Sequence, residues 1–176
     1  SEPKLAQALL GGQVEERLLG GEVYRYHNQR GYIQFHADGT FQGEFVSGAF
    51  PLDGADPRSY SVEILKKLNF QGEILEVTGE EDGAAETTVL LRQIWNGSPL
   101  FDRQVTLTYR GGDLVSMSGG RRLMGTPQPD ESRQTLEVPT ALIRFYHGLT
   151  AMGDVCNRID SITQGYVATN YSPGST

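Results

Sequence analysis

The chain reads as an α+β domain: a mostly antiparallel meander sheet with two main helices packed on one face. Short segments of alternating apolar and polar residues follow one another through 22–46 and 73–119, the period of half-buried strands. Two of the hairpins they form call for the same kind of turn if their apolar residues are to share a face. Two amphipathic segments, opening at Asp56 and Glu137, have the period of helices and supply the cover.

Taken in chain order, residues 2–19 hold a short helix, KLAQALL, interrupted by Gly11-Gly12. EVYRYHN, the turn-like QRG and YIQFHADGTFQGEF then make three strands over 22–46. In the second hairpin a two-residue loop at Asp38-Gly39 scatters the aromatic residues over both faces. A three-residue loop, Ala37-Asp38-Gly39, pairs Phe35 with Phe41 and Ile33 with Gly43, and puts Phe45 on that same face. It gathers Tyr32, Gln34, His36, Thr40, Gln42 and Glu44 on the other. A one-residue slip flips every side chain, so the pattern selects the longer loop, with Gly39 in the left-handed conformation of a bulge.

DPRSYSVEILKKLNF is a helix with Asp56 as N-cap, Pro57 at its first position and Asn69 near its end. EILEVTG, the charged turn EEDGA, ETTVLLRQIW, the Asn96-Gly97 turn and LFDRQVTLTY follow as strands and turns. In QVTLTYRGGDLVSMSG, Val105, Leu107 and Tyr109 share a face with Val115 and Met117 only across an odd loop such as Gly111-Gly112-Asp113. GTPQPDESRQ is a loop over 125–134, ITQGYVATNY a final strand, and NYSPGST a frayed tail. The length of 176 residues suits one domain over 1–176. Two subdomains, 20–56 and 57–171, are the alternative, with 1–19 as a leading segment.

Composition narrows the function classes. Hydrophobic content of 38% and charged content of 21% are those of a globular domain. Fifteen basic and 22 acidic residues leave a net charge of −7, which argues against nucleic acid as partner because phosphate binding needs a basic surface. The apolar runs, such as Val89-Leu90-Leu91, are far too short to span a membrane. The start SEPKLAQALL lacks an initiator methionine, so a removed signal or membrane anchor is expected upstream. One cysteine rules out an internal disulfide framework and any cysteine-based zinc site.

No residue set has the spacing of a metal, cofactor or catalytic site. Of the three histidines, His27, His36 and His147, the first two lie at a strand end and on a polar strand face and lack histidine or cysteine partners at ligand spacing. Glu15-Glu16 and Glu80-Glu81-Asp82 are adjacent carboxylates rather than a pair facing across a cleft. The glycine pairs lack the strand-to-helix setting of a phosphate loop. Arg121-Arg122 follow a strand, and Arg144 and Arg158 lie on or after the last helix; with twelve arginines against three lysines, these could hold an anionic group or a partner bidentately. Pairing with the excess surface carboxylates is the plainer reading.

HGLTAMGDVC, residues 147–156, combines His147, Asp154 and Cys156. Helical phase separates them. Leu142, Phe145, Leu149, Met152 and Cys156 form an apolar stripe, and His147 falls on the opposite side with Asp154 near it. The thiol then belongs to the core, unless Gly153 ends the helix and releases Cys156.

The hairpin VTLTYRGGDLVSMSG, the Pro/Gln loop, the helix PTALIRFYHGLTAMG and RIDSITQGYVATNYS with its I-x-x-I-x-x-G-Y pattern together resemble the YycH/YycI-type extracytoplasmic regulators of bacterial two-component systems, and related anchored proteins of Gram-positive bacteria. The resemblance covers residues 102–171. It implies an α+β domain outside the membrane, held by one N-terminal anchor. Such a domain acts through contacts with a sensor histidine kinase and has no catalytic residues. The family pattern also has a further strand rich in Pro, Trp and Tyr beyond Thr176. The expected function is therefore a non-enzymatic, extracytoplasmic regulatory domain with a protein partner, no cofactor and no metal. Arg121, Arg122, Arg144, Arg158 and His147 are the candidate contacts. The alternatives are a small-ligand module with a sheet–helix pocket and, behind it, a hydrolase or thiol enzyme.

Overall fold

The computed structural model describes residues 1–79, 85–122 and 137–167. The charged turn 80–84, the loop 125–134 and the tail 170–176 fall outside them. The described elements are α1 (Glu2–Leu10), β1 (Glu15–Gly20), β2 (Val23–Asn28), β3 (Gly31–Phe35), β4 (Thr40–Phe45), α2 (Pro57–Lys66), β5 (Gly72–Thr78), β6 (Glu86–Trp95), β7 (Ser98–Arg110), β8 (Asp113–Gly120) and α3 (Val138–Ala151). The eight strands form one antiparallel sheet in the order β1-β2-β3-β4-β8-β7-β6-β5. The α+β class and the antiparallel sheet are as the sequence predicts.

The sheet is two four-stranded meanders, each preceded by a helix and joined where β4 pairs β8. It runs across residue 57 without a break. In β4 the burial alternates strictly, with Phe41, Gly43 and Phe45 inward. Phe35 pairs Phe41 and Ile33 pairs Gly43, and Gly39 sits at φ 86°, the register that the three-residue loop demands. At the Asn96-Gly97 turn both residues have positive φ, 49° and 75°, which matches the twist of the flanking strands.

The β7–β8 hairpin departs from expectation. Arg110 pairs Asp113, so the loop is the two residues Gly111-Gly112 rather than three. Both are at positive φ, 59° and 81°, a turn that two glycines adopt without steric cost. The missing residue is supplied inside the strand. Tyr109 pairs Leu114 and Thr108 pairs Ser116, leaving Val115 as a bulge. Leu114 thereby joins Met117 on the core face in place of Val115, and both are buried.

The helices differ from expectation too. Gly11, at φ 71° with its N–H donated to the Gln7 carbonyl, ends α1 instead of interrupting it. By then Leu5, Ala6, Leu9 and Leu10 have formed a complete buried stripe. In α2 the Asp56 carboxylate accepts from the Arg58 N–H at 3.0 Å, a capping bond, and Ile64 and Leu65 are buried. One core cluster contains the apolar residues of α1 and α2 and the inward residues of the sheet. The segment 139–153, expected as the second covering helix, forms α3 but buries none of its side chains. Strand β1, unforeseen, is exposed along its whole length as an edge. Of the expected final strand, the described residues make a single parallel bridge, Tyr166 to Leu100.

The described residues group into two compact units, 1–122 with 165–167, and 137–164. The sheet, α1 and α2 make up the first. The second contains α3 and the irregular segment after it.

Candidate functional site

In the first unit, the segment leaving β8 runs past the β3–β4 turn. The Arg121 N–H donates to the Gly39 carbonyl at 3.1 Å. One residue on, the buried Gln93 side chain takes both backbone groups of Arg122: its amide nitrogen donates to the Arg122 carbonyl at 2.7 Å, and its oxygen accepts the Arg122 N–H at 2.9 Å. These bonds fix the backbone on each side of the Arg121 side chain. Its guanidinium lies 5.0 Å from the centre of the Phe35 ring, close enough for a cation–π contact.

Arg121 is only 7% exposed. Its Nε and Nη1 are buried and have no hydrogen-bond partner. Burial presses its pKa below the usual arginine value, with the nearby Glu2 carboxylate acting the other way. Taking an ion out of water costs several kcal/mol unless partners repay it, so this group stands apart from Ser61 and Gln93, the other buried polar side chains among the described residues. Ser61 bonds the Pro57 carbonyl and the Tyr109 hydroxyl, both at 2.7 Å.

Arg121 forms part of the wall of a cavity of about 350 Å³, together with Glu2, Phe35, His36, Asp38, Arg103 and Arg122. The Asp38 carboxylate is engaged locally: it accepts from the Thr40 N–H at 2.8 Å and the Thr40 hydroxyl at 2.6 Å. Those bonds hold it below the usual carboxylate range. Arg103 pairs with Asp102 at 3.2 Å. His36 Nε2 lies 3.1 Å from the Gln34 side-chain amide.

The second unit has a different character. Its helix closes with the Gly153 N–H donated to the Thr150 carbonyl at 3.1 Å and the Asp154 N–H to the Leu149 carbonyl at 2.9 Å. Gly153 adopts φ 82°. This is a Schellman ending, and it overturns the helical phasing of the cysteine. Cys156 lies beyond the helix, half-buried, with its thiol 3.4 Å from the Arg158 carbonyl. It lines an apolar cavity of about 380 Å³ with Leu142, Phe145, Ile159 and Ile162. His147 is exposed and makes an edge contact with the Tyr146 ring.

The candidate contacts therefore divide between the units. Arg121 and Arg122 meet at the first cavity. Arg144, His147 and Arg158 are exposed in the second unit, where the Arg158 guanidinium pairs with Asp160. Glu2, His36 and Arg103 join Arg121 only through strand pairing and helix docking, and no spacing in the sequence links them. The one sequence signal was the preference for arginine over lysine. Comparison with protein-family models, curated proteins and solved structures finds no match to the chain.

Proposed function

We propose that the chain is a non-enzymatic regulatory domain that works by binding a protein partner through the surface of its second unit. The observation that supports this is the apolar character of that surface. Ile143, Phe145, Tyr146, Met152, Val155, Ile159 and Ile162 are all exposed, Phe145 by 50% and Val155 by 82%. Soluble proteins rarely leave so many large apolar side chains together in water unless something covers them. Arg144, His147 and Arg158 stand among them, and aromatic, methionine and arginine side chains are the types enriched where proteins meet.

The resemblance to YycH/YycI-type regulators makes the external domain of a sensor histidine kinase the first partner to try. An extracytoplasmic, membrane-anchored location goes with that reading. The test is binding of the full chain to such a kinase domain, measured by calorimetry. Phe145→Asp and Ile159→Asp are expected to weaken binding by about tenfold or more each, the scale of a lost interface anchor. Binding that survives both substitutions unchanged, or no binding to any sensor domain encoded beside this gene, overturns the proposal.

A further inference from the structure

The first unit carries a feature that protein docking on the second does not use. The fold clamps the backbone around Arg121 through Gly39 and Gln93 and lays the guanidinium on Phe35. It thereby keeps the charge away from water instead of letting a long side chain swing out. None of the nearby carboxylates satisfies it. Asp38 is committed to Thr40, and Glu2 lines the cavity without meeting Arg121 Nε or Nη1. A positive charge thus borders a cavity, desolvated in advance, with Nε and Nη1 unpaired and the Glu2 carboxylate acting on it only at a distance.

We propose that this cavity binds the carboxylate group of a small organic acid, with Arg121 as the group that recognises its charge. A carboxylate is an acceptor-only planar group that matches guanidinium donors. The single charge matters. Glu2 and Asp38 stand on the same wall as Arg103 and Arg122, and Arg103 is already paired with Asp102, so a second negative charge, as on phosphate, meets more repulsion from the two carboxylates than a monoanion does. Phe35 and Ala37 supply apolar wall for the body of the acid. The volume of about 350 Å³ lies at the small end of ligand pockets.

The experiment uses the full chain and four probes: acetate, lactate, benzoate and inorganic phosphate, at matched ionic strength set with chloride. Binding is followed by calorimetry and by the guanidinium Nε–H resonance of Arg121. At least one monocarboxylate is expected to shift that resonance saturably. Arg121→Met is expected to weaken the binding by about tenfold or more, as for loss of a charge-assisted pair. Glu2→Gln is expected to tighten it by about threefold by removing a repelling charge. Arg121→Met removes an unpaired buried charge and so leaves the fold intact or firmer. Should it fail to fold, the wild-type resonance and Glu2→Gln still decide. No saturable response to any of the three acids, tighter binding of phosphate, or unchanged affinity in Arg121→Met overturns the proposal.

Discussion

The hairpins β3–β4 and β7–β8 hold equivalent places, each closing a four-stranded meander, and the strands that end them pair with each other at the centre of the sheet. They set their register by different devices. In the first, the turn residues Ala37, Asp38 and Gly39 take up the odd residue, so the strands themselves stay regular. In the second the turn is even, and the odd residue is absorbed inside β8 at Val115. What must be conserved in both is the parity that keeps Phe35 opposite Phe41 and Leu107 opposite Met117 on the core side. The place where the parity is corrected is not dictated by the apolar pattern. It follows from local turn chemistry: two glycines favour a tight turn, whereas Asp38 stabilises a longer one through Thr40.

Substitutions at the two devices sharpen this contrast. The largest effect is expected within β8. Leu114→Ala should destabilise by about 2–5 kcal/mol as a buried leucine truncation, and Val115→Ala by less than about 1 kcal/mol, both read from chemical denaturation. The reverse order would mean that the odd residue sits in the turn after all. Next come the turn glycines. A Cβ at Gly39 would lie 2.8 Å from the Arg121 carbonyl oxygen, while one at Gly112 would meet nothing within 4 Å. Gly39→Ala should therefore cost about 2–3 kcal/mol, strain plus clash, against about 1 kcal/mol for Gly112→Ala, which carries strain alone. Equal losses would remove the distinction. The smallest effect is electrostatic and confined to the first turn. The folded-state pKa of Asp38 is depressed, so its contribution is present above the unfolded value of about 3.9 and is lost as pH falls through the folded one. The stability gap between wild type and Asp38→Asn should accordingly hold steady near neutrality and close on acidification. A gap independent of pH would show that the Asp38 charge does nothing for the turn.

Much of the first unit was legible from residues alone. The fold class, the register at Phe35 and Phe41, and the Asp56–Pro57 start of α2 all followed from period, parity and capping, which are local properties. Three readings failed where a local signal had two meanings. Gly11-Gly12 looked like an interruption but serves as a stop after a complete stripe of Leu5, Ala6, Leu9 and Leu10. Gly111-Gly112 could open a loop of two residues or three. The run Leu142 to Cys156 has helical spacing throughout, yet Gly153 closes the helix before the cysteine. The first cavity was legible only as a pair of arginines. Its remaining walls come from α1, the β3–β4 turn and β7, far apart in the chain, and nothing in a single sequence marks residues that only tertiary pairing brings together.

Among the described residues, six of the seven strand pairings join neighbours in sequence, and β4–β8 is the exception. It matches Thr40 with Gly120 and Glu44 with Ser116, and the bridge from Pro51 to Asp113 extends the same seam. Between the named strands the sheet therefore has one distant closure, joining two meanders whose own pairings are all between adjacent segments. Loop-closure entropy grows slowly, by about 0.6 kcal/mol for each doubling of the loop. Because the speed of folding follows the separation of contacts along the chain, a sheet of eight strands connected this way is expected to fold faster than its strand count suggests.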